Sequence, residues 1–114
     1  MCKSLVAIVI LTSILAVPAN AAPGDVESKL ELPFGHPSGV AWTGSTLWIA
    51  DRKTDLFYEV DISSGDVKRE IESPAWFPSG LAWDGELLWS TDPGSGAIYA
   101  TDPETGHTVR TLES

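Results

Sequence analysis

Pro37-Ser-Gly-Val-Ala-Trp-Thr-Gly44 recurs 41 positions further along the chain as Pro78-Ser-Gly-Leu-Ala-Trp-Asp-Gly85. The match continues without gaps, and 15 of the 37 residue pairs between residues 37–73 and 78–114 are identical. Unrelated sequences do not reach this level of identity, so the chain contains an internal repeat. A period of this length is typical of architectures in which similar units stack on one another.

Each copy of the repeat contains four short runs of strand-like composition separated by turn residues, as in one blade of a β-propeller. The inner runs, such as 47–50, are apolar at consecutive positions, which indicates that both faces of the sheet are covered. The sequence therefore predicts an all-β propeller fragment with two four-stranded antiparallel blades. The predicted strands are 39–43, 46–51, 56–61 and 67–72 in the first blade, and 80–83, 87–92, 97–101 and 108–113 in the second.

A further strand is predicted ahead of the first blade. Gly24-Asp-Val26 matches Gly65-Asp-Val67 at the same offset, and Leu30 matches Ile71. Residues 25–32 thus have the pattern of a lone fourth strand. The other three strands of its blade are missing from the sequence, so we expect the chain to be a truncated part of a longer propeller.

The turn residues and the repeated tryptophans give two more expectations. Tight hairpin turns need a residue with positive φ, which glycine adopts without steric cost. We therefore expect positive φ at several of the repeated turn glycines, Gly44, Gly65, Gly85 and Gly106. Trp42 and Trp83 recur at one repeat position, so we expect them to be largely buried at equivalent places.

The N-terminus has the three parts of a secretory signal peptide. Lys3 precedes the uncharged run 5–17, and Ala19-Asn-Ala21 follows as a cleavage pattern. A membrane anchor is the weaker interpretation, because Pro18 ends the run before it reaches the length of a spanning helix. The predicted organisation is a signal peptide at 1–21, a leading strand and linker at 22–37, and blades at 38–77 and 78–114. The expected location is secreted or periplasmic.

The charge of the chain excludes some partners. Removing residues 1–21 takes away Lys3 and no acid, so the formal net charge moves from −9 to −10. An acidic surface repels phosphate backbones and anionic lipid, so we expect no nucleic-acid partner and no membrane contact after cleavage. The only cysteine, Cys2, leaves with the signal peptide, so disulfides are not expected.

The repeated motifs resemble those of the NHL, streptogramin-lyase-like and gluconolactonase-like group of secreted bacterial β-propellers. They are Pro-Ser-Gly-Val/Leu-Ala-Trp-x-Gly, Leu-Trp-x-x-Asp and Tyr-x-x-Asp-x-x-Ser/Thr-Gly. The resemblance implies a propeller fold. It does not imply one activity, because lyases, lactonases and pure binding propellers share these turn and core positions.

Four residues are candidates for ligand contact. Asp51 and Asp92 end the second strands of the two blades, although recurrence in both copies also fits a structural turn device. Arg52 belongs to a charged loop that the second copy replaces with Pro93, and loops that differ between repeats often carry function. Trp76 lies in the connection between the blades, where it is either a ligand contact or an inter-blade plug.

No catalytic or metal-binding set is predicted. His36 and His107 occupy different repeat positions, and neither has a cysteine, serine or second histidine at motif spacing. A zinc site needs three or four ligands, and a nucleophile needs an oriented base. No cofactor is therefore expected.

Three functions remain open from the sequence. The first is a binding or scaffolding module whose partners are further propeller blades, in the same or neighbouring chains, and an unknown extracellular ligand. The second is part of a propeller enzyme, a lyase or metal-dependent lactonase, whose catalytic residues lie on other blades. The third is an oligomeric two-blade protein that binds sugars.

Overall fold

The computed structural model describes residues 22–113, and these form two four-stranded antiparallel sheets. Each sheet is a meander in which sequential strands are hydrogen-bonded neighbours. The first sheet, blade 1, contains β1 (Pro37–Trp42), β2 (Leu47–Asp51), β3 (Leu56–Val60) and β4 (Val67–Glu72). The second, blade 2, contains β5 (Gly80–Trp83), β6 (Leu88–Asp92), β7 (Ala97–Thr101) and β8 (Thr108–Leu112). The predicted all-β fold is confirmed, with strand bounds within about two residues of those expected.

The turns explain why the repeat folds this way twice. Gly65 and Gly106 have φ values of 79° and 76°. Each donates its N–H to the carbonyl of the aspartate that opens the turn, Asp61 at 2.8 Å and Asp102 at 2.7 Å. A residue with a Cβ is strained at such φ values, so glycine closes both turns. The hairpin glycines Gly44 and Gly85 have φ values of 101° and 103°, so the expectation for all four is confirmed.

Side chains alternate between the two faces of each blade, which we name by residues of blade 1. The front face carries Val40, Trp42, Leu47, Ile49, Tyr58 and Val60, and the back face carries Ala41, Trp48, Ala50, Phe57 and Ile71. The repeat gives blade 2 the same two faces. Its front face carries Leu81, Trp83 and Leu88, and its back face carries Ala82, Trp89, Thr91, Ile98 and Leu112.

The two blades stack with the back face of blade 1 against the front face of blade 2. One apolar cluster spans this interface: from blade 1 come Ala41, Trp48, Ala50, Phe57 and Ile71, and from blade 2 come Leu81, Trp83 and Leu88. Trp48, Phe57 and Leu88 are almost fully buried. Burial of such side chains stabilises a fold by about 1.5–3 kcal/mol each, so this interface is the main core of the described structure.

The inner strands β1 and β5 approach so closely that a glycine is required between them. A Cβ on Gly39 would lie 2.8 Å from the backbone nitrogen of Leu81 and 2.9 Å from the carbonyl carbon of Gly80. Beside this contact, the Ser38 hydroxyl donates a hydrogen bond to the Pro78 carbonyl. The Pro-Ser-Gly motif is therefore an inter-blade contact as well as a strand start.

Polar contacts also join the blades at their outer side. The Arg69 guanidinium donates to both Glu59 carboxylate oxygens, at 2.9 and 3.3 Å, and to the Pro103 carbonyl of blade 2 at 3.3 Å. It lies 5.4 Å from the ring centroid of Trp48. The hydrogen bond from Arg69 lowers the pKa of Glu59, and the same bond raises the pKa of Arg69.

The predicted leading strand at 25–32 is not part of either sheet. A β-strand is held by a ladder with a neighbour, and none of the described strands pairs with this segment. Instead, Leu32 and Phe34 pack on the front face of blade 1, against Ile49, Tyr58 and Val60. The Phe34 and Tyr58 rings stack with centroids 4.2 Å apart. The segment therefore covers a blade face without extending a sheet.

The expectation that Trp42 and Trp83 are both largely buried is wrong for Trp42. The two rings hold equivalent register positions, opposite Leu47 and Leu88. Trp83 packs against the back face of blade 1, whereas Trp42 is 49% exposed. The difference arises because Trp83 has a blade in front of it, and no blade among the described residues lies in front of Trp42.

The predicted signal peptide at 1–21 and the last residue, Ser114, lie outside the described residues. Within residues 22–113, the structure contains no helix with the length and apolar character needed to cross a membrane.

Candidate binding surface beside the blade connection

The connection from β4 to β5, residues 73–79, is held in place by the β2–β3 loop of blade 1. The backbone carbonyl of Asp55 accepts a hydrogen bond from the Ser73 N–H at 2.9 Å. Its carboxylate accepts another from the Phe77 N–H at 3.0 Å. Ser73 also braces the turn through its hydroxyl, which donates to the Ala75 carbonyl at 2.9 Å. Two points of the connection, Ser73 and Phe77, are therefore tied to one residue.

This arrangement places two aromatic rings in solvent. Trp76 is 78% exposed and Phe77 is 63% exposed. Asp55 and Phe77 have φ values of 56° and 57°, the only positive values among non-glycine residues of the described chain. Such conformations cost about 1–3 kcal/mol and are concentrated at functional sites. The strain and the exposed rings occur together, which makes the connection the best candidate for a ligand contact.

Two concave regions flank the connection. A cavity of about 270 Å³ is lined by Trp76 together with Thr54, Asp55, Leu56, Glu72, Ser73, Pro74 and Ala75. A wider cleft of about 850 Å³, which we call the cationic cleft, lies on the other side. Its lining includes His36, Arg52, Lys53, Phe77 and Pro93.

The cationic cleft differs in charge from the chain as a whole, which is acidic. The whole sequence has 7 lysines and arginines against 16 acidic residues, yet the lining of the cleft includes two cations and no acid. His36 and Phe77 occupy the same position in the two repeats and both line this cleft. The cleft can therefore attract an anionic group and place a flat apolar ring beside it.

Asp51 builds the loop that carries the cations. Its side chain is almost fully buried and accepts hydrogen bonds from the backbone N–H groups of Lys53 at 2.8 Å, Thr54 at 2.9 Å and His36 at 3.0 Å. Burial by itself raises the pKa of Asp51, but these hydrogen bonds outweigh it, and the pKa is lowered below its usual value. Asp51 thus positions both sides of the cleft through their backbone.

Asp92, at the equivalent position of blade 2, holds its loop in the same way but with fewer hydrogen bonds. One carboxylate oxygen accepts from the Gly94 N–H at 2.9 Å, and the other accepts from the Ser95 hydroxyl at 2.8 Å. It is only half-buried, and the next residue, Pro93, lines the cationic cleft. Both aspartates are therefore seen closing the turns after second strands.

The structure brings the sequence candidates together around the connection. Arg52 lines the cationic cleft, Trp76 lines the cavity beside it, and Asp51 holds the loop between them. Phe77 was not among the candidates, and its alignment with His36 was the sequence signal that could have identified it. His107 lies elsewhere, in the β7–β8 turn, where its carbonyl accepts from the Asp102 N–H at 2.9 Å.

Residues 22–113 contain no group of three or more histidine, cysteine, aspartate or glutamate side chains placed to hold a metal ion.

Replacing Asp51 by asparagine is expected to reduce the free energy of unfolding by about 1–3 kcal/mol. Both carboxylate oxygens accept from N–H groups, so the amide nitrogen of asparagine, which is a donor, must face another donor. Chemical denaturation measures the loss. Asp92→Asn is the matched control, with a smaller effect because its partners reach solvent.

The lowered pKa means that Asp51 stabilises the fold above about pH 4. This contribution is lost as the pH falls through the pKa that Asp51 has in the folded state. The free energies of unfolding of the wild type and of Asp51→Asn should therefore converge in acid. Equal losses in Asp51→Asn and Asp92→Asn would contradict the special role of Asp51.

Comparison with known proteins supports the fold and leaves the family open. No family model matches the chain, and no curated protein matches it. Solved structures do. A chain of a nidogen/laminin complex is 21% identical, with a TM-score of 0.63 over 72% of this chain and 32% of its own length. A chain of hydrazine synthase from Kuenenia stuttgartiensis is 21% identical, with a TM-score of 0.59 over 82% of this chain and 27% of its own.

The computationally designed Ika4 protein is 13% identical, with a TM-score of 0.61 over 79% of this chain and 56% of its own length. At these identities the likeness shows the β-propeller fold alone. The chain spans between about a quarter and just over half of the length of these structures.

Proposed function

We propose that this chain is an exported segment of a β-propeller, of the NHL-like group, that acts as a binding or scaffolding module. The observation that carries the proposal is the pair of exposed rings, Trp76 and Phe77, held beside the cationic cleft by a strained and tightly bonded connection. Aromatic rings that are fixed in position and exposed are enriched at binding surfaces, where they contribute much of the affinity.

The chemistry of the surface indicates an anionic ligand with a flat apolar face. Arg52 and Lys53 supply positive charge, and the ring of Phe77 supplies a stacking surface in the same cleft. A sugar chain that carries carboxylate groups has both properties. The net charge of −9 favours this cleft further, because an anionic ligand is repelled from most of the remaining surface.

Two features support the scaffolding part of the proposal. The described blades leave apolar residues of both outer faces exposed, among them Trp42 at 49% and Leu112 at 44%. Further blades of the same type would cover them. The chain of the nidogen/laminin complex shows that a similar fold occurs in a protein complex, which is consistent with a binding role here.

The test uses the full-length chain, expressed with its leader and recovered from the exported fraction. We expect it to bind acidic polysaccharides in a glycan array and in titration calorimetry. Trp76→Ala and the double variant Arg52→Ala, Lys53→Ala should each weaken binding about tenfold or more, as expected for residues that dominate an interface.

The control is Lys68→Ala, which removes an exposed cation on β4 that does not line the cleft. It should leave the affinity within about twofold. The absence of binding to any anionic ligand, or equal affinity in the cleft variants and the control, would contradict the proposed binding surface. Failure of the chain to reach the exported fraction would contradict the export part alone.

A further inference from the structure

The back face of blade 2 is built for a contact that is not made within the described chain. The same face of blade 1 is closed by blade 2, so that Trp48 is 1% exposed and Phe57 is 0% exposed. On blade 2 the position of Phe57 is held by Ile98, at 37% exposed, and that of Ile71 is held by Leu112, at 44%. These residues are apolar although no part of the described structure covers them.

The glycine at position 80 also indicates that this face is suited to a contact. Its counterpart Gly39 must be glycine because a Cβ there would collide with the backbone of β5. Among residues 22–113, a Cβ on Gly80 would meet one atom within 4 Å, the Thr91 hydroxyl oxygen at 3.0 Å, which belongs to a rotatable side chain of its own blade. The described part of the chain therefore does not require a glycine at this position. A third inner strand that approached as β5 approaches β1 would require it.

The complementary surface is exposed on the same molecule. Leu81, Trp83 and Leu88 are the front-face residues with which blade 2 closes against blade 1. Their repeat counterparts are Val40, Trp42 and Leu47, of which Val40 is 58% exposed and Trp42 is 49% exposed. Both halves of the internal interface are thus presented a second time, one at each end of the two-blade stack.

We propose that the back face of blade 2 docks the front face of blade 1 of a second copy of this chain. The new interface would repeat the internal one position by position, with Gly80 against the second copy's β1. Ser79, whose hydroxyl now lies 2.9 Å from that of Thr91, would donate to the second copy's Pro37 carbonyl, as Ser38 donates to Pro78. The two surfaces differ, so the association is head-to-tail. The proposal does not depend on the ligand of the cationic cleft.

The leading segment, residues 25–34, competes with this docking. Leu30 lies beside Gly65, with side-chain carbons 3.3–3.4 Å from a Cβ built there. Ile71 lies beside Gly106 in the same way, at 3.7–3.8 Å. The segment of the second copy therefore takes the place that β4 of a preceding blade would occupy, and β8 of the first copy, whose blade 2 docks there, needs that place. The segment must move aside, so it weakens self-association and acts as a cap.

A complementation experiment on the full-length chain, recovered after export, tests the proposal. Gly80→Val blocks the back face of blade 2, and Trp42→Glu puts a charge on the front face of blade 1. We expect the wild-type chain to form concentration-dependent oligomers in sedimentation velocity, and each variant alone to bind itself at least tenfold more weakly. An equimolar mixture of the two should form dimers, because each contributes one intact surface.

The controls separate docking from folding. Thr111→Val adds a methyl group in place of a hydroxyl on the opposite face of blade 2 and should associate like the wild type. Far-ultraviolet circular dichroism and denaturation should show that Gly80→Val remains folded. Phe34→Ala, which loosens the cap, should strengthen association. A wild-type chain that is monomeric at all concentrations would overturn the proposal, and so would a mixture that fails to dimerise or a Gly80→Val variant that associates normally.

Discussion

Replacing Gly39 by valine is expected to destabilise the fold by about 3 kcal/mol or more, at the upper end of the cost of overpacking. The new Cβ would come within 2.8–3.0 Å of three backbone atoms of Leu81 and Gly80. Backbone cannot rotate away as a side chain can, so β1 and β5 must separate. That separation opens the apolar cluster between the blades. Chemical denaturation followed by tryptophan fluorescence measures the loss.

Gly80→Val is the matched control, since it makes the same change at the same repeat position. There a Cβ meets, among the described residues, only the Thr91 hydroxyl, so the loss should be below about 1 kcal/mol when measured at concentrations where the chain is monomeric. Similar losses in Gly39→Val and Gly80→Val would mean that the cost arises from the strand itself and that the blades do not approach each other as described.

Replacing Trp48 by alanine is expected to reduce the free energy of unfolding by about 3–5 kcal/mol, the usual cost of removing a buried tryptophan. Trp48 is 1% exposed and lies in the cluster that joins the blades. Its loss also removes the ring beneath the Arg69 guanidinium. A chain of this size has little stability to spare, so the variant should unfold at markedly lower temperature in calorimetry.

Trp89→Ala provides the comparison on the open back face of blade 2. Trp89 occupies the same repeat position, and Arg110 lies 5.7 Å from its ring centroid. The ring is only half-buried, so its removal should cost less than half as much as the removal of Trp48. Equal costs in the two variants would show that both back faces are covered, which contradicts the described stacking.

The architecture of the blades could be predicted from the sequence because its signals are local. Glycine at the turns marks where strands begin and end, and the doubly apolar inner strands indicate that each sheet has two faces suited to burial. The exposure of the Trp42 side chain could not be predicted, because it is not a local property. Its pattern is identical to that of Trp83, and its exposure depends on whether another blade lies in front of it. A repeat shows what each unit is made to contact, and it does not show which contacts are made.

The leading segment and the candidate site also combine features that local sequence predicts with features that depend on distant contacts. The match of Leu30 to Ile71 predicted a fourth strand at 25–32, but a strand needs a neighbour to pair with, and the described chain does not supply one. At the site, Arg52 and Trp76 were identified because the two repeats differ there. The positive φ of Phe77 could not be predicted, since it accompanies a hydrogen bond from the Phe77 N–H to Asp55, 22 residues earlier.

The double attachment of the blade connection to Asp55 has a consequence for binding entropy. A loop that is ordered only when its ligand arrives loses conformational freedom at that moment, and this loss is subtracted from the affinity. Here the carbonyl and the carboxylate of Asp55 hold Ser73 and Phe77 before any ligand is present. The backbone that carries the two rings is already fixed when the protein folds. A ligand therefore meets a preorganised surface, and most of its contact energy remains available as affinity.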